Sequence, residues 1–156
     1  MVGLTSAAIW HDVECASYDA DLPLWRELAR ASGDTNALVV YKSASCGCCR
    51  NWVEHMQKAG FTVVVHDVDD VQPMKDASGV PAALRSCHTA VAGTYVIEGH
   101  VPASDIRRLL HERPAIAGLA VPGMPAGSPG MEGTPGERYD VMTFGGSGAQ
   151  RIYASH

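Results

Sequence analysis

Three cysteines fall within four consecutive positions, Cys46-Gly47-Cys48-Cys49, and no other stretch narrows the architecture of this chain as much. Leu38-Val39-Val40-Tyr41 precedes them and reads as a short buried strand. After them Trp52, Val53, Met56 and Ala59 recur on one side of a helix from about Cys48 to Ala59, and Gly60 supplies a stop. The cysteines therefore occupy a strand-to-helix turn. A helix N-terminus stabilises negative charge and lowers the pKa of thiols placed there. By its outer members the segment is a CxxC, the spacing of thiol–disulfide exchange. Cys48 is the sulfur that simple exchange does not need. Three sulfurs in one turn suit Cu(I) or another thiophilic ion.

Five cysteines, an odd number so unevenly spread, do not form the disulfide framework of a small secreted domain. The 156 residues, 46% apolar and 19% charged, suffice for one globular domain with a proper core. A net charge of −5 argues against nucleic-acid binding, which needs a basic patch. No apolar run is long enough to span a membrane. Met1 to Ala8 lacks the basic and apolar regions of a signal peptide.

Three zones are expected. Residues 1–37 form an N-terminal extension with one helix, Leu22 to Ala31, started by Asp21 and Pro23. Residues 38–113 form an α/β unit. Beyond the first strand and helix it has a strand at Thr62–Val68 and a short helix at Val71–Ser78. A hairpin follows, Thr89–Ala92 with Tyr95–Val101, and then a helix through Leu110 capped by Ser104. That order is the order of a thioredoxin-like domain with a mixed central sheet. Residues 114–156 form a Gly/Pro/Met-rich extension packed on the same domain. Its 115–136 stretch cannot form long regular elements, and it ends in a hairpin, Tyr139–Phe144 with Gln150–Ala154.

In this layout the third strand begins beside the cysteine turn, and the fourth strand returns to the same place. Cys87, His88 and His100 are thereby drawn toward Cys46, Cys48 and Cys49. His88 reads as a ligand or a structural histidine, and His100 as facing the site or solvent. Met124 and Met131 carry soft thioethers on a segment able to fold over the site, and packing is their other reading. His55 shares a helix face with Glu54 and Lys58 and is expected in solvent. His11 and Cys15 have a spacing that only weakly suggests metal binding.

Val40-Tyr41-Lys42-Ser43 running into Cys46-Gly47-Cys48-Cys49, then Trp52-Val53-Glu54-His55-Met56, resembles the CopG-type CxCC copper-resistance proteins of Gram-negative bacteria. The blocks Ser86-Cys87-His88-Thr89-Ala90 and Tyr95 to Pro102 are similar to that family too, as is the tail from Gly118 through Met124 to Met131-Glu132. The likeness runs from about Leu38 to Tyr153 and does not include residues 1–37. It implies a periplasmic, thioredoxin-like protein that holds several copper ions in one cysteine-bridged cluster. It also implies interconversion of Cu(I) and Cu(II) in support of copper efflux. The residues carried over as metal ligands are Cys46, Cys48, Cys49, Cys87 and His88, with His100, Met124 and Met131 at the margin. The expected partners are copper ions and a copper efflux system or periplasmic redox protein, the chain itself being a monomer. Two alternatives stay open: a thiol–disulfide oxidoreductase using Cys46 and Cys49, and a passive copper chaperone. Zinc has no need of so many clustered sulfurs.

Overall fold

The structure is a computed structural model that describes residues 35–133, 135–146 and 150–156. The expected helix at 22–31 and the His11–Cys15 pair lie outside the described residues.

Alternation places Leu38 and Val40 on one face of the first strand, β1 (Ala37–Lys42), and Val39 and Tyr41 on the other. Both faces are buried, which explains why β1 reads as an unbroken apolar run. β1 leads through the cysteine turn into α1 (Gly47–Lys58), and α1 returns to β2 (Thr62–Asp67), parallel to β1. A parallel pair needs such a crossover. Then come α2 (Gln72–Ala77), a 3₁₀ turn at Ala82–Leu84, the antiparallel pair β3 (Thr89–Ala92) and β4 (Tyr95–Glu98), and α3 (Ala103–Glu112). β5 (Gly118–Ala120), β6 (Asp140–Phe144) and β7 (Ile152–Ser155) complete the chain.

Among the described residues the strands form one mixed sheet, ordered β2-β1-β3-β4-β5-β6-β7. The expected α/β architecture is the one observed. The main core lies under α1 and α3, where Trp52, Met56, Ile106 and Leu109 pack on Leu38, Val40, Ile97 and Leu119. Two smaller clusters hold other residues of the sheet, one of them joining Met74 of α2 to Val39 and Tyr41.

Several local expectations need correction. Ser104 does not cap α3. The helix begins at Ala103 with Pro102 in the cap position, because the fixed φ of Pro102 already directs the chain into the first turn. β4 ends at Glu98 rather than Val101, since Gly99 turns away at φ +71. The 115–136 stretch, expected to hold no long element, contributes one strand of three residues that the sequence did not reveal. β5 pairs with β4 on one side and β6 on the other, and this extends the sheet into the C-terminal segment. Gly118 permits it, because a Cβ there would collide with the Val96 carbonyl.

Register then decides where the chemistry gathers. Tyr41 lies opposite Thr89, Thr89 opposite Glu98, and Glu98 opposite Ala120. The segments following β1, preceding β3, following β4 and following β5 therefore meet along one rim of the sheet. They carry Cys46–Cys49, Cys87–His88, His100 and Met124 respectively.

Candidate metal centre

Cys46 occupies the N-cap of α1 with extended backbone, and Cys48 and Cys49 lie in its first turn. Cys49 points into the core and is fully buried, whereas Cys48 is half-buried at the surface. Cys46 and Cys49 are joined in a disulfide, and Cys48 and Cys87 are free thiols. Cys48 Sγ lies 3.5 Å from Cys46 Sγ, 3.9 Å from Cys87 Sγ and 3.7 Å from Met124 Sδ. Cys87 Sγ lies 3.3 Å from His88 Nδ1 and 3.1 Å from His100 Nε2.

Two donor sets overlap at this rim. The four sulfurs of Cys46, Cys48, Cys49 and Cys87 lie within 4.8 Å of one another, as do the ligand atoms of Cys87, His88 and His100. Cys87 belongs to both. His88 is fully buried against the Trp52 ring, and its Nε2 has no hydrogen-bond partner. The nitrogen turned toward Cys87 is Nδ1, so Nδ1 would be the donor to an ion shared with Cys87, with Nε2 carrying the ring proton. Thiolate, thioether and imidazole together fit a soft or borderline ion such as copper.

Burial keeps both imidazoles neutral and therefore able to donate a lone pair. It drives His88 well below its ordinary pKa, with the charges of His100, Lys75 and Lys42 acting in the same direction. His100 is lowered by burial too, against the opposing pull of its hydrogen bond to Pro129 and of Glu132. Burial, reinforced by Cys48, pushes the Cys87 thiol up to about 12. Without a metal Cys87 stays protonated, so metal binding must displace its proton.

The surrounding shell fixes these donors. His100 Nδ1 donates to the Pro129 carbonyl at 2.6 Å, which leaves Nε2 as the free lone pair facing Cys87. Gly130, at φ +92, lies so close that a Cβ would stand 2.6 Å from the Cys48 carbonyl and 3.1 Å from His100 Nδ1. Glu132 accepts the Gly130 N–H and holds this turn in place. Met131 takes part through its main chain, donating to Ser128 O and accepting from Gly127 N. Met124 is 52% exposed at the mouth of the pocket. Its loop is tied down by Ser86 Oγ, which donates to the Gly123 carbonyl.

Sequence reasoning missed the floor of the site. Lys75 and Glu98, both wholly buried, form an ion pair at 2.6 Å. Glu98 also accepts from the Ser86 N–H and the Thr89 hydroxyl, the residues flanking Cys87-His88. A charged residue at the end of an apolar strand, Tyr95-Val96-Ile97-Glu98, was the available signal. His55, expected in solvent, is half-buried and accepts the Ala103 N–H at 3.4 Å, because α3 starts over it.

Two solved structures match, titled "Copper resistance protein copG- Form 1" and "Copper resistance protein copG- Form 2". The first is 43% identical, covers 79% of this chain and 98% of that one, and superposes with a TM-score of 0.74. The second is 44% identical, covers 77% and 97%, and has a TM-score of 0.73. The chain belongs to the CopG copper-resistance family. A family model described as a protein of unknown function, DUF411, matches residues 84–131, the CopG segment that holds Cys87, His88, His100 and Met124. No curated protein matches the chain. CopG membership and the cysteine cluster together support a copper-related function. Among the described residues no helix is long and apolar enough to cross a membrane.

Proposed function

We propose that this protein takes up copper ions as a sulfur-bridged cluster and interconverts Cu(I) and Cu(II) in support of copper resistance. The observation that carries the reading is the position of Cys87, whose sulfur belongs to both donor sets. A thiolate there is placed to bridge neighbouring ions. Cys46, Cys48 and Cys49 supply the remaining thiolates once the disulfide is open. His88 and His100 supply the harder nitrogen donors that Cu(II) favours, and Met124 is a weak soft donor at the entrance. Met131 has the outermost role, through the turn that steadies His100. A mixed sulfur and nitrogen set tolerates both oxidation states, as electron transfer at copper requires.

The sheet order β2-β1-β3-β4 with its crossover helix supports a thioredoxin-like reading of residues 38–113, with 114–156 closing the metal pocket. Family membership supports a periplasmic place beside a copper efflux system. Metal analysis of a Cys48→Ser variant tests the reading. Copper stoichiometry is expected to fall, and an unchanged copper content would overturn it.

The Cys46–Cys49 disulfide favours a second reading, thiol–disulfide exchange with copper incidental. Robust insulin reduction by the metal-free protein would favour that alternative. Copper held only as Cu(I), with no reversible change on oxidation, would instead indicate a passive carrier.

A further inference from the structure

Four sulfurs share this pocket at two oxidation levels: Cys46 and Cys49 are bonded, while Cys48 and Cys87 remain thiols. The Cα atoms of the bonded pair are 5.3 Å apart, inside the ordinary span of a bridge. Every sulfur of the pair lies within 4.8 Å of the sulfurs of Cys48 and Cys87. An ion held by Cys48 and Cys87 would stand against the Cys46–Cys49 pair, near enough for direct electron exchange.

We propose that Cys46 and Cys49 are the electron source for copper reduction, closing to a disulfide as two Cu(II) ions become Cu(I). The proposal rests on the reading of the pocket as a copper site. Each sulfur gives up one electron, and each Cu(II) accepts one. One S–S bond forms, and any proton still carried by the two thiols passes to solvent. A dithiol reductant from outside the chain reopens the bridge. The bonded state has a further effect: it removes two thiolates from the donor set. The Cu(I) produced then depends on Cys48, Cys87, the histidines and exposed Met124. The same step that makes Cu(I) therefore loosens the hold on it.

The test uses the full chain, reduced, freed of metal and kept without oxygen. Cu(II) is added as the sole oxidant. A desalted portion is analysed for retained copper; the rest is quenched with a chelator and denaturant, Cu(I) is counted with bicinchoninate, and free thiols are counted and mapped by mass spectrometry. Two thiols are expected to vanish for every two Cu(I) formed, the new bridge mapping to Cys46–Cys49. Cys49→Ser is expected to lose the bridge and the fast phase of Cu(I) formation. Copper retained with all thiols intact overturns the proposal while the copper site stands. A bridge mapped to Cys48–Cys87 overturns it as well, with no variant needed. If no copper is retained, the copper site falls and the proposal falls with it.

Discussion

Cys87 Sγ stands 3.1 Å from His100 Nε2 and 3.9 Å from Cys48 Sγ, so one thiol borders both the imidazole side and the sulfur side of the pocket. Loss of an outer-shell partner typically costs ~10–100-fold in metal affinity. Cys87→Ser, which removes a donor common to both sets, is expected to cost more than that. Competition titration against a Cu(I) chelator measures it. A Cys87→Ser protein of wild-type affinity would remove Cys87 from the centre.

The Lys75–Glu98 pair tests the floor. Breaking a buried pair by removing one charge costs about 3–5 kcal/mol, because the partner is left uncompensated. Glu98→Gln is therefore expected to lower stability by that order in denaturant unfolding, and copper affinity with it, since one amide oxygen cannot accept from Lys75, Ser86 and Thr89 together, which weakens their anchor. Replacing both residues by apolar ones of similar volume should restore much of the stability without restoring the anchor.

Acid should unfold the metal-free protein in a defined window. His88 and His100 are both held below 6.5, chiefly by burial. Below pH 6.5 the unfolded chain takes up protons that the native imidazoles refuse. Stability then falls with pH, by up to ~1.4 kcal/mol per pH unit for each imidazole, until the native groups titrate too. Cys87 acts in the opposite direction. Its raised pKa makes stability fall as pH rises from 9 toward about 12. Urea midpoints of the metal-free protein with the Cys46–Cys49 bridge intact check both limbs across the pH range, and a His88→Gln variant should flatten the acid one.

Gly130→Ala probes the loop that closes over the centre. The new Cβ would press on the Cys48 carbonyl and the His100 ring in a left-handed backbone. Overpacking and backbone strain cost roughly 1–3 kcal/mol each. Lower copper affinity with the fold retained is the expected result, read by metal titration beside circular dichroism.

What was legible in the sequence was local or followed from topology. The period-two pattern of Leu38–Tyr41, the apolar stripe of α1 and the turn at Gly93 each depend on neighbouring residues. The approach of His100 to the cysteines followed once β3 and β4 were read as a hairpin. β5 escaped notice because three residues beginning at Gly118 and soon followed by Pro122 carry no period, and its pairing is made entirely by distant strands. Lys75 escaped because a lysine in a short polar helix reads as solvated, and its burial is made tolerable by Glu98 and the Thr89 hydroxyl, both distant in the chain. His55 was misread for a similar reason: α3, which covers it, arrives from 48 residues away in the chain.

Convergence of four chain segments on one rim also governs when the pocket can exist. Cys48 and Met124 are 76 residues apart in the chain, and neither meets the other until β5 has docked beside β4. A chain that ends before β5 carries Cys46, Cys48, Cys49, Cys87, His88 and His100 but lacks Met124. A rim complete with Met124 is thus a late event of folding, and a ligand that spanned the finished rim would clasp the sheet shut behind it.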